Sequence, residues 1–227
     1  VRPIQRTLLG PDLRDALALA AAIGLVGVSF GALAAAAGVP PVLTVALSVL
    51  VFAGGSQFLL VAVLSAGGGV VPAVLGGLLL NARHLPFGLA MAPVIADRWP
   101  ARLIGAHFMI DESVAFAKAR GTGPRARRAF WLSGLLAFVV WNVCAIGGML
   151  IGAAVPDPEV LGVDAAFPAA LGALLLGQLR HPETQRVALV AVTAALAATP
   201  FLPAGVPVLL GLAGLLVAGR AAPEEAR

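Results

Sequence analysis

The 227-residue chain is 60% hydrophobic and 11% charged, with a mean hydropathy of +0.99, which is more apolar surface than a soluble fold of this length can bury. A soluble enzyme or binding module is therefore excluded, and an integral membrane protein remains, with apolar windows of about 20 residues recurring and no soluble domain between them. The net charge of +4 lies in short connectors and reports membrane topology by the positive-inside rule, not an affinity for nucleic acid.

Apolar runs punctuated by Pro, Gly and charge predict spans near 16–37, 42–65, 70–93, 101–118, 130–153, 163–179, 187–202 and 205–219. The expected fold is an all-α polytopic bundle of about seven to eight spans forming a single membrane domain over residues 1–227, with polar interruptions in spans two to four. Arg2, Arg6 and Arg14 precede the first span, which reads as an uncleaved first helix. Its Gly24, Gly27 and Gly31 recur at three- and four-residue spacing, the signature of close helix packing.

The second span carries Gly54, Gly55, Ser56 and Gln57 near its centre, where unsatisfied polar groups are most costly. Adjacent glycines each weaken a helix by roughly 1 kcal/mol relative to Ala, so this stretch reads as an unwound wall, or else as a packing contact with polar helix-to-helix bonds. In the third span Asn81, Arg83 and His84 lie mid-membrane, and a central Arg costs about 2.5–3.5 kcal/mol unless it has a partner. Spacing puts Asn81, His84 and Leu85 on one helical face. The partner for Arg83 is expected in the fourth span, where Asp111 and Glu112 are adjacent: one pairs with Arg83 and the other is poised for a proton or cation. His107, four residues earlier, is placed on the face of Asp111. Alternatively the fourth segment is short, interfacial or re-entrant, with wet carboxylates.

The connector 121–128 is the most basic and reads as a cytoplasmic anchor. Eight spans with a cytoplasmic N-terminus put Lys118, Arg120, Arg125, Arg127 and Arg128 inside, and Asp157, Glu159 and Asp164 outside; Arg98 and Arg102 fall outside, against the rule. Trp141 and Asn142 lie mid-span in the fifth helix, with Gly147, Gly148 and Gly152 beyond. Cys144 is alone in an apolar run, so no disulfide framework and no paired-thiol metal site follow. A faint echo between 78–84 and 174–181 does not establish a repeat, and one dividing eight spans into equal halves would be parallel rather than inverted. No GxxxxGK[ST], HExxH or GxSxG occurs, and no cofactor or metal is implied.

Three consecutive spans thus offer a flexible backbone, a cationic pair and an anionic pair at one depth, the complement of a zwitterionic amino acid. The strings FAGGSQF, LLLNARHLPFGLA and MIDESVAFA, supported by GVSFGALAAAAGVPP, WNVCAIGGMLIG and VLGVDAAFPAALGALLL, resemble the AzlC family of bacterial branched-chain amino acid transporters over most of the chain. The resemblance implies export of valine, leucine, isoleucine or analogues through the inner membrane with a small AzlD-type membrane subunit. It carries over Gly54, Ser56, Gln57, Asn81, Arg83, His84, Asp111, Glu112 and Ser113 as motif residues, to which Gly55 is added for backbone freedom. The chain departs from the family pattern by lacking a proline in the first span and by having Ile110 before the acidic pair. Rival readings are a cation or proton channel lined by the same polar band, and an intramembrane hydrolase using Ser56 with His84 or His107.

Overall fold

The computed structural model describes residues 5–96, 98–155, 172, 176, 179–203 and 205–218, with side chains from Gly10 onward. In chain order the elements are α1 (Gln5–Ala36), α2 (Pro41–Ala46) continued by a π turn (Leu47–Val51), α3 (Gly54–Ser65), α4 (Val70–Asn81), α5 (His84–Ile95), α6 (Trp99–His107), α7 (Asp111–Lys118), α8 (Gly123–Ala154), α9 (Pro182–Ala198) and α10 (Val206–Leu210), which passes into a 3-10 turn (Gly211–Val217). All are helical, as the composition requires. The span expected at 163–179 and the carboxylates of 157–164 fall outside the described residues, apart from 172, 176 and 179.

Two long helices frame the molecule. Gly10–Ala36 and Gly123–Ala154 are each long and apolar enough to cross a membrane; 27 residues of α-helix extend about 40 Å, beyond the ~30 Å hydrocarbon core. They pack through glycine. Gly24 faces Val140 and Cys144, Gly27 the Trp141 backbone, Gly31 the Ala145 carbonyl, Gly148 the Val28 carbonyl and Gly152 the Ala32 carbonyl. A Cβ at Gly31 or Gly148 would collide with the opposing backbone, so the first-span glycines are packing residues. Residue numbers rise together along this seam, which makes α1 and α8 parallel. Parallel spanning helices require an odd number of crossings between them.

Two of the expected spans turn out to be hairpins, and the physical reason is the break in each. Segment 41–65 starts at the C-terminal end of α1, reaches Phe52, whose ring packs 5.0 Å from Phe138, and returns as α3, in which Phe58 meets Phe30 at 5.6 Å. The reversal is local: Phe52 is left-handed (φ 40°, ψ 49°) and Ala53 extended (φ −140°, ψ 85°). Across the turn the Gln57 side-chain amide donates to the Leu47 carbonyl, tying the two limbs.

Segment 99–118 does the same from the other end. It follows Ile95, whose carbonyl accepts from Trp131 Nε1 at 3.0 Å near the start of α8. Its turn rests against Phe138, 5.2 Å from Phe108. It then returns to Arg120, paired with Asp12 and Asp15 at the N-terminal end of α1. Arg98 and Arg102 therefore lie at the same end as Arg125, Arg127 and Arg128. The exception to the positive-inside rule came from counting 42–65 and 101–118 as full crossings, and it disappears with them.

Between the hairpins α4 and α5 run together with a bend of 43° at Ala82–Arg83, and as a pair they reach spanning length. α4 is antiparallel to α3: Gly77 abuts Ser56, Gly76 abuts Leu59, and Asn81 bonds Ser56. α5 is antiparallel to α8, with Arg127 Nε donating to the Val94 carbonyl at 3.0 Å. At the C-terminal side, Gly214 nests on Val187 and Ala191 of α9, while Gly205 (φ +90°) seats against Val63 and Pro72. The expected spans 187–202 and 205–219 correspond here to α9, which begins five residues earlier at Pro182, and to the short α10 with its 3-10 continuation.

Candidate functional site

Both hairpin tips rest against the middle of α8, and the α4–α5 bend meets the tips through Arg83, which reaches Asp111 and lies beside Gly55. A helix of 12 residues, as α3, α4 and α5 each are, covers about 18 Å, somewhat over half the hydrocarbon thickness. Three helix beginnings are thereby gathered at mid-depth: Gly54 of α3, His84 of α5 and Asp111 of α7. Their first N–H groups have no partners within the helix and carry the positive end of the dipole.

At the first tip, Gly54–Gln57 is not unwound. It forms the opening turn of α3, and the chain breaks at Phe52–Ala53 instead. The two glycines serve space: a Cβ at Gly54 would lie 2.9 Å from the Trp141 ring, and one at Gly55 would lie 3.1 Å from Leu80 Cδ2 and 3.5 Å from Arg83 Nη2. Ser56 Oγ donates to the Ala53 carbonyl at 2.8 Å and accepts from Asn81 Nδ2 at 3.1 Å.

At the α4–α5 bend the chain stays right-handed through Ala82 and Arg83, so Asn81 and His84 remain neighbours across it, while Leu85, expected on the same face, is exposed. Asn81 turns to Ser56, and His84 Nδ1 sits 3.0 Å from the Asn81 carbonyl. Arg83 occupies the break. There the negative end of α4 stabilises its charge, and its Nη1 reaches Asp111 Oδ2 at 2.6 Å. With side chains 33% and 24% exposed, the pair is only partly buried by the described residues.

At the second tip, Asp111 and Glu112 are the first two residues of α7, where a carboxylate is favoured by the helix start. Ser113 Oγ lies 3.1 and 3.0 Å from the Phe108 and Ile110 carbonyls and accepts the Ile110 N–H at 3.0 Å, closing the turn. His107 belongs to α6, across the break from Asp111, so the shared face expected for them is also absent. Its ring instead packs against Phe52, Phe108 and Phe138, at 6.2, 5.5 and 5.5 Å. Glu112 makes no ion pair among the described residues.

The sequence reading missed Phe52, Ala53 and Ser48. Ser48 lies four residues after Thr44 in an otherwise aliphatic run, a polar pair that could have been noticed. Nothing in the sequence marks a phenylalanine for left-handed backbone.

A family model described as AzlC protein matches residues 18–155, which include every residue of this cluster. The chain belongs to the AzlC family. It is therefore a membrane protein of a transport-associated family, and α1 from residue 18 onward, both hairpins, the bent pair and α8 fall inside the matched region. Neither the curated proteins nor the solved structures compared with it give a match. Against the hydrolase alternative, the AzlC chain holds Ser56 Oγ on Ala53 and Asn81, with neither His84 nor His107 as its hydrogen-bond partner.

Proposed function

We propose that this AzlC chain is the large subunit of a secondary carrier that exports branched-chain amino acids or close analogues across the bacterial inner membrane, driven by an ion gradient and assisted by an AzlD-type small subunit. α1, the α4–α5 pair and α8 cross the bilayer, and the N-terminus is cytoplasmic, on the side of the Arg120–Asp12 and Arg125–Asp12 contacts.

The observation that carries the reading is the half-exposed Arg83–Asp111 pair beside the unpaired Glu112, set where three helices begin. A substrate carboxylate is drawn to Arg83 and to the free N–H groups at Gly54 and Gly55, and Ser56, Gln57, Asn81 and His84 add polar contacts. Asp111 already neutralises Arg83, so Glu112 is the acceptor for the substrate ammonium or a coupling proton, while Ser113 holds the tip in shape. Hairpin tips that approach from opposite faces give alternating access a pair of gates around one fixed site.

Counterflow of labelled valine or leucine in proteoliposomes containing the chain and its small partner tests this. Saturable counterflow that Arg83→Ala and Glu112→Gln abolish at equal expression supports the carrier. Undiminished flux in both variants removes the site assignment, and unitary currents would replace the carrier with a channel.

A further inference from the structure

The first limb of the 41–65 hairpin is amphipathic in an unusual sense. Val42 and Leu50 are exposed, whereas Thr44 and Ser48, one helical turn apart, are buried. Thr44 donates its hydroxyl to the Pro40 carbonyl at 3.3 Å, which leaves its oxygen lone pairs free. Ser48 is 1% exposed and its Oγ has no hydrogen-bond partner. Gln57, also 1% exposed, commits its amide N–H to the carbonyl of Leu47, the residue before Ser48, and its Oε1 is likewise unpartnered. Two fully buried oxygens are thus left without partners on side chains that adjoin the Leu47 carbonyl, one from the next residue and one bonded to it, against the rule that such groups find partners. The limb 41–51 also ends here, turning the negative end of its dipole and its last carbonyls toward the break.

A ligand for this place must be positive and must accept neutral oxygen donors. Amides and hydroxyls do not take up protons near neutral pH, which rules out a proton. No group of three His, Cys, Asp or Glu able to hold a metal exists among the described residues, which disfavours a divalent or thiophilic ion. We infer that Ser48 and Gln57, with the lone pairs of Thr44 and the closing carbonyls of the π turn, form a site for a monovalent metal cation of the Na+ class. Half-helix C-terminal ends and interrupted backbone are suited to this ligation. Thr44 and Ser48 lie on the opposite side of the Phe52 turn from Gly54 and Gly55, and Gln57 reaches back across it to the first limb. Its use as a coupling site rests on the transport reading; its existence does not.

The test is binding without flux. Purified full-length protein in nanodiscs, with no amino acid present, is titrated with NaCl against choline chloride and KCl at constant ionic strength, reading thermal stability and tryptophan fluorescence. The expected result is a saturable Na+-specific rise in Tm of about 3–5 °C at tenfold above half-saturation, lost in Gln57→Leu and in the milder Ser48→Ala. Responses identical in Na+, K+ and choline would overturn it. So would a separate titration in which leucine raises the Tm and Na+ does not, which would make these oxygens part of the substrate site. An Na+ response that survives in both variants would also overturn the assignment. Because no transport is measured, an absent Na+ response leaves the carrier reading standing, and absent counterflow leaves this site standing.

Discussion

The two hairpins are one device built twice and charged once. In each, the second limb opens at a turn, with two site residues at its first two positions and a serine at the third: Gly54, Gly55 and Ser56 in one, Asp111, Glu112 and Ser113 in the other. Both serines return to the carbonyl of the residue before the helix, Ala53 at 2.8 Å and Ile110 at 3.0 Å. The hairpins enter from opposite ends of the α1–α8 frame, so they form an inverted pair rather than the parallel repeat considered for equal halves. Where the first has bare backbone and room for Trp141, Leu80 and Arg83, the second has two carboxylates. Shared architecture thus fixes the depth of the site, while the first two residues of each limb decide whether a tip offers space and donors or negative charge.

The comparison is broken most severely by attacking what lies between the tips. Arg83→Ala should abolish counterflow and lower stability, because Asp111 then keeps an unpaired charge in a half-buried place. Adding Asp111→Ala should restore stability without restoring flux, with a coupling of about 1–3 kcal/mol in a thermal-denaturation cycle; additive losses would mean the pair does not act as a unit. Next in size, Glu112→Gln should cost transport tenfold or more with the Tm within about 2 °C of wild type, whereas Asp111→Asn should lower both. Equal behaviour of the two carboxylates would erase the division of labour drawn between them.

The neutral tip should respond less. Gly54→Ala, whose new methyl meets the rigid Trp141 ring at 2.9 Å, should slow counterflow several-fold. The smallest effect is expected from Gly55→Ala, where the nearest atom is the end of the flexible Leu80 side chain at 3.1 Å, a clash offset by a helix-propensity gain of roughly 1 kcal/mol. If Gly55→Ala is the more damaging of the two, backbone freedom matters there more than room.

Polar residues inside apolar runs were legible because burying them is costly: Arg83 demanded an anion, and Asp111 supplies it. The glycine seam of α1 was legible from its spacing. What hydropathy does not encode is direction. An apolar run of 24 residues that crosses and one that turns back at its middle have the same composition, and the reversal at Phe52 depends on a backbone state that packing against His107 and Phe138 imposes. The pairing drawn for His107 with Asp111 failed for the same reason, since it assumed an unbroken helix across a break, whereas the right-handed bend at Ala82–Arg83 leaves His84 beside Asn81.

The central claim, that 41–65 and 99–118 each return to the side they leave, has a direct measurement in a Cys144→Ser background. Single cysteines at Ala36, Ala66, Arg98 and Thr122 are labelled in intact cells with a membrane-impermeant maleimide, then again after permeabilisation. Hairpins predict that Ala36→Cys and Ala66→Cys react from outside, and that Arg98→Cys and Thr122→Cys react only once the cytoplasm is opened. Full crossings would exchange Ala66→Cys and Arg98→Cys, and that result would contradict the account.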